Sequence, residues 1–226
     1  MNTIEVVGKV LDLNPGINVL NFVEFKESGL IQHRIEPNIE EQKQIECALD
    51  IRAKHYFPFW DCLCSTFINN KTYSKRLLSR ILHHNNNHEL ISISRNQYLD
   101  IEQYLDNEKK YALLSRVIHL DGTVGHLPLI DFHCESNCIN IRVAEDLVEI
   151  IEAGPGYLLD SGKSFHFIGT QSMSEGEFWP YLGKLLMHSP IVDKSWIAHQ
   201  LIEGSCALRV TRKKGILPKV IKEIGA

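Results

Sequence analysis

Tyr111-Ala112-Leu113-Leu114-Ser115-Arg116-Val117-Ile118-His119, a pause at Asp121-Gly122, then His126-Leu127-Pro128-Leu129-Ile130-Asp131-Phe132-His133-Cys134 is the stretch that decides the fold. The first run is aliphatic and rich in β-branched residues, which predicts a strand. Asp-Gly is a strong tight-turn signal. Residues 126–134 are therefore expected to return as one antiparallel strand, with Pro128 near its start because proline cannot donate to a ladder. Downstream, Val143, Leu147, Ile150 and Ile151 give an amphipathic helix over 143–153, with Gly154 just past its end. Tyr157 to Asp160 reads as a strand, a turn follows at 161–164, and Phe165 to Ile168 reads as the next strand.

Ser174-Glu175-Gly176-Glu177 resembles a capping box for a helix through Phe178, Leu182, Leu185 and Leu186. Pro180 conflicts with that start, so the helix is expected to begin later or to kink. A short helix over 194–202 and a strand over 206–211 come next, and 220–224 is a final strand or turn. This order predicts an α+β domain with a mostly antiparallel sheet.

The front of the chain looks mixed. Residues 4–11 and 17–25 are β-branched or aromatic and are read as strands around the turn Asn14-Pro15-Gly16. Asn38 and Glu41 form a capping-box pattern ahead of Ile45, Ala48 and Leu49, and Ser74 precedes a helix over 74–82. Glu89 to Ser94 reads as a short strand and 99–107 as a polar helix or turn. His83-His84-Asn85-Asn86-Asn87-His88 reads as a polar loop. The expected division is an accessory α/β unit over 1–110 and a main module over 111–226, together forming one compact body.

Composition narrows the class. The chain has 226 residues, a formal charge of −4, 44% hydrophobic and 23% charged residues, which excludes disorder as the main state. A dedicated nonspecific nucleic-acid binder is usually basic, whereas this chain has a pI near 6.3. A local basic strip remains: six Lys or Arg against one acid from Ser205 to Ala226. The amino terminus lacks a signal-peptide pattern, and no run approaches the ~20 apolar residues of a membrane span, so no membrane partner and a cytoplasmic location are expected. Six cysteines without paired Cys-x-x-Cys spacing read as buried free thiols rather than disulfides or a zinc site.

Three features carry chemistry. Asp131 and His133 lie two apart on a predicted strand and share a face, which is costly to bury unless paired or metal-bound. Asp160-Ser161-Gly162-Lys163-Ser164-Phe165-His166 can offer amides and an ammonium to phosphate, although it is not a P-loop; an ordinary turn is the plain alternative. Asp193 is either a helix N-cap or an acidic site residue, and Arg209 on a strand pairs with a phosphate or a carboxylate.

In order, these features resemble the archaeo-eukaryotic primase (primase-polymerase) superfamily over about 110–215. The resemblance rests on an apolar strand ending in an acid (Leu129 to His133), a small-residue turn into a strand histidine (Ser161 to His166), and Asp193 with Arg209 beyond it. It implies an RRM-like antiparallel sheet with helices, beside the N-terminal α/β unit. It implies metal-dependent nucleotidyl transfer, with Asp131, His133 and Asp193 as catalytic and metal residues and manganese or magnesium as cofactor. Ser161, Lys163 and His166 would hold a nucleoside triphosphate, and Arg209 would sit near the phosphates or the template. Single-stranded or primer-template nucleic acid would be the further partner. The family's second first-motif carboxylate is His133 here, which weakens a magnesium site and suits manganese better; Glu135 is the substitute candidate. That single aspartate is closer to the divergent primase 1D-like branch. The alternative is a non-catalytic nucleic-acid-binding or protein-interaction module.

Overall fold

The computed structural model describes residues 1–24, 37–55, 57–69, 74–82, 89–101, 109–213 and 215–225. The chain divides into two compact units: Met1–Phe25 with His88–Ala226, and Lys26–Asn87. Residue 110 is not where the units part. The amino terminus and the described residues 89–101 and 109–110 fold with the C-terminal part, and the second unit is an insertion after the first strand.

The larger unit opens with a correction. Residues 4–11, expected as a strand, lie in helix α1 (Thr3–Leu13). Their buried residues Val6, Val7, Val10 and Leu11 recur at helical spacing. An Asn2–Glu5 capping box closes the first turn, and burial of that stripe outweighs the strand preference of valine. Strand β1 (Ile17–Glu24) follows as expected.

In the insertion, helices α2 (Ile39–His55), α3 (Phe59–Asn69) and α4 (Lys75–Arg80) enclose Ile45, Ala48, Phe59, Cys62, Leu63 and Leu77. Asn38 and Glu41 exchange the predicted reciprocal bonds at the start of α2. Glu41 is also buried against Ser74 and Arg76. Hydrogen bonds from Arg76 hold its carboxyl down at about 2. The histidine-rich loop 83–88 lies outside the described residues.

Strand β2 (Glu89–Ser94) leads into a 3-10 turn over Arg95–Asp100. Most of the segment expected as helix or turn at 99–107 lies outside the described residues. Strand β3 (Tyr111–His119) then forms the spine of a six-stranded antiparallel sheet. One edge of β3 pairs with β1, which in turn pairs with β2. Its other edge is shared: β4 (Val124–His126) pairs with Arg116–Ile118, and β9 (Ala207–Arg209) pairs with Ala112–Leu114. Strand β8 (Met173–Ser174) extends the sheet beyond β4.

The single returning strand expected over 126–134 is two strands in two sheets. After β4 the chain turns at Leu127-Pro128 and enters β5 (Leu129–Asp131). Pro128 has no amide to continue the ladder. Its carbonyl accepts from Gly169 N, and its ring lies where a Cβ on residue 169 would stand, 2.6 Å away. The second sheet runs β10-β6-β7-β5, all antiparallel, with β6 (Gly156–Asp160), β7 (Phe165–Gly169) and β10 (Lys219–Ile224).

Helices α5 (Cys138–Ile150), α6 (Glu175–Met187) and α7 (Lys194–Glu203) complete the unit. Helix α5 starts earlier than expected because Asn137 caps Ile139 N and Asn140 N. Helix α6 starts at the predicted box and includes Pro180. Of the cysteines, Cys62 and Cys206 are buried, whereas Cys47 and Cys138 are exposed and Cys64 and Cys134 are half-buried. All are free thiols, so the buried-thiol expectation holds for only two. The α+β class stands. Among the described residues, no helix is long and apolar enough to cross a membrane.

Candidate functional site

Antiparallel pairing of β5 with β7 sets Asp131 directly across from His166. His166 Nε2 lies 3.6 Å from Asp131 Oδ1, an electrostatic contact longer than a normal hydrogen bond. His166 is buried, and burial pushes its imidazole down to about 3, with the Arg209 and Lys213 cations adding to the shift. Its Nδ1 is buried and, among the described residues, finds no hydrogen-bond partner. Such an orphaned polar atom in a native site needs a reason.

The ladder with β7 closes beyond Asp131 with Phe132 N donating to Phe165 O at 3.0 Å. The chain then follows a different partner. Phe132 bridges Val192, and His133 N donates to Ile191 O at 2.8 Å. Strand β5 thus ends at Asp131, and this bridge rather than a strand pleat places His133. It brings His133 Nδ1 within 3.9 Å of Asp193 Oδ2. Asp193 fills its plain role at the same time: Oδ1 accepts from Ser195 N and Trp196 N and caps α7.

The two carboxylates sense each other. Asp131 is pushed up to about 7 by burial and then by Asp193, against the pull of Arg209, Lys213 and Lys163. Its side chain nonetheless keeps 37% of its surface, so a ligand can reach it. Glu135 is exposed, and Asn140 donates to its backbone carbonyl.

The turn between β6 and β7 is partly self-satisfied. Ser161 N and Oγ both donate to Ser164 O, and Gly162 N donates to Asp160 Oδ1 at 2.7 Å. Two of the amides expected to face a phosphate are therefore committed inside the turn. Lys163 is exposed and its charge acts on Asp131. Arg209 reaches the same turn from behind: Nη2 donates to Ser161 O, and Nη1 donates to Thr211 O and Ile216 O. Lys213 was legible only as part of the basic C-terminal run. Its charge acts on both Asp131 and His166.

The family resemblance implies a divalent cation, and the residues on hand for it are Asp131, His133 and Asp193. Among the described residues, no three His, Cys, Asp or Glu side chains gather into a metal cage. Magnesium sites, however, commonly take one or two carboxylates and complete the shell with water and substrate phosphates. Asp131 and Asp193 supply two carboxylates, and a cation near Asp131 would offset the burial and then the Asp193 charge that raise it.

A protein-family model described as "AEP-like: Archaeo-eukaryotic primase 1D-like" matches residues 89–222, more than half of the chain. No curated protein and no solved structure matches it.

Proposed function

Because the chain belongs to the archaeo-eukaryotic primase 1D-like family, we propose that the larger unit binds a nucleoside triphosphate at the end of β5 and β7. The observation that carries this reading is the Asp131–His166 cross-strand pair, in which His166 Nε2 faces a carboxylate raised to about 7 while, among the described residues, the buried Nδ1 of the same ring finds no partner. Lys163 and His166 meet the phosphates; Ser161, whose N and Oγ both donate to Ser164 O, shapes their turn, and Arg209 supports it. Asp131 and Asp193, with His133 beside Asp193, hold a divalent ion, manganese before magnesium, because imidazole suits manganese better. When bound, that ion neutralises phosphate charge. The chain's own residues bind and orient the triphosphate and limit water at the buried face of His166. In nucleotidyl transfer, a primer hydroxyl oxygen would bond to the α-phosphorus and lose its proton to solvent while the α-phosphorus–oxygen bond to the β-phosphate breaks and pyrophosphate leaves with that oxygen. Single-stranded or primer-template nucleic acid is the partner that supplies the hydroxyl and template.

One observation favours a second reading, binding without synthesis. The family's second first-motif carboxylate is His133, and that histidine leans on Asp193. Fewer oxygen donors remain for magnesium. The test of the first reading is calorimetric titration with ATP in manganese and in magnesium, followed by extension of a primed template. Binding with extension supports transfer. Binding without extension in either metal leaves the second reading. No binding by folded protein rejects both nucleotide readings.

A further inference from the structure

Arg209 does more structural work than the resemblance implies. Its guanidinium donates to three backbone carbonyls on two segments: Ser161 O at 3.0 Å, Thr211 O at 2.6 Å and Ile216 O at 3.2 Å. The first belongs to the turn between β6 and β7. The other two belong to a strap beyond β9, described over residues 211–213 and 215–216, in which Lys213 and Ile216 exchange backbone hydrogen bonds at 2.9 and 3.0 Å. Arg212 Nη1 donates to Gly215 O at 3.3 Å within the same strap.

A second contact fixes the strap on the turn. A Cβ on residue 162 would meet Ile216 Cγ2 at 2.7 Å and Cδ1 at 2.8 Å, and Gly162 has φ +96°. The Ile216 side chain is seated in the space that glycine leaves, in a conformation that suits glycine. The docked strap carries Lys213, whose charge, after that of Arg209, acts on both Asp131 and His166. A planar fork is suited to tying several acceptors at once, and lysine cannot reproduce it.

We propose that Arg209 is a positioning residue, fastening the strap residues Thr211 and Ile216 onto the Ser161–Ser164 turn so that the site depends on strap docking rather than on contact between Arg209 and the ligand. The ligand-facing half of this inference rests on the nucleotide reading above. The clamp itself does not.

Two variants separate the possibilities in the full chain. Arg209→Lys keeps the charge and loses the fork. Ile216→Ala keeps every charge and removes the side chain seated on Gly162. Amide hydrogen exchange is read by peptide, and affinity for manganese–ATP by calorimetry. Both variants are expected to speed exchange in peptides covering 161–164 and 211–217 and to leave those covering β3 unchanged. Both are expected to weaken binding about tenfold, and the double variant no further than either single, as for residues sharing one contact. The inference is overturned if neither variant changes exchange at 161–164. It is also overturned if Arg209→Lys weakens binding while Ile216→Ala binds like the parent protein, because a direct ligand contact then explains Arg209. If the parent protein binds no ATP in either metal, the nucleotide reading falls and the exchange result alone decides the clamp.

Discussion

Two buried histidines of the larger unit have opposite surroundings. His126 ends β4 where β4 and β9 share the edge of β3. Its Nδ1 lies 3.1 Å from Ser115 Oγ, which in turn accepts from Cys206 N at 2.9 Å. The imidazole stacks on Phe178, with ring centroids 3.8 Å apart and planes 12° apart. His166 sits on β7 with an unpartnered Nδ1 and a long contact to Asp131. Both are pushed down by burial, His126 to about 4 and His166 to about 3. A buried histidine is thus no sign of a site by itself. The difference is that the first is packed and hydrogen-bonded, whereas the second turns Nε2 to an accessible carboxylate and, among the described residues, leaves its buried Nδ1 unmet.

Removing the packing around His126 gives the largest expected effect. Phe178 is fully buried, and Phe178→Ala should cost about 3–5 kcal/mol in denaturant unfolding. A loss under 1 kcal/mol would mean that the junction is not the packed region described.

Acid should expose the same contrast. The folded-state value of His126 lies below its ordinary 6.5, so the unfolded chain takes the proton first. Stability from this group is present above pH 6.5 and is lost as pH falls toward 4, by on the order of 3 kcal/mol. His126→Asn should start less stable and show a flatter acid limb in unfolding measured across that window.

Ser115→Ala would strand the Cys206 amide, at a cost of about 1–2 kcal/mol, which urea unfolding can read. Asp131→Asn should have the smallest effect on stability and the opposite sign. Asp131 is raised from 3.8 to about 7, so the folded state holds the proton longer and stability falls as pH rises from about 4 to 7. Its side chain is 37% exposed, so after discounting for solvent the variant should be about 1 kcal/mol more stable at pH 8 and equal at pH 4. Lower stability at pH 8 would contradict the burial and the Asp193 charge that together raise Asp131.

Much of the β-rich half was legible because its signals are local. Asp121-Gly122, the 174–177 capping box and the strand at 157–160 each act within a few residues. Residues 4–11 were misread because valine favours strands, whereas the helical spacing of Val6, Val7, Val10 and Leu11 is satisfied only by a long-range core. Pro128 reads from sequence only as a residue near the start of one strand, because the move into a second sheet depends on Gly169 and β7, about 40 residues away. The seven candidate site residues were found by order along the chain. Their pairing was not legible, because a bridge to Val192 and the β5–β7 register decide it. Lys213 and the committed state of Arg209 follow from strap docking, for which sequence carries only the run of basic residues.

The most direct measurement is calorimetric titration of the folded protein with ATP in manganese, beside Asp131→Ala and His166→Ala, with folding of each checked by circular dichroism. Saturable binding in the parent protein and its loss in both folded variants is the expected result. Equal binding in all three, or none in the parent protein in either manganese or magnesium, would contradict a nucleotide site at the end of β5 and β7.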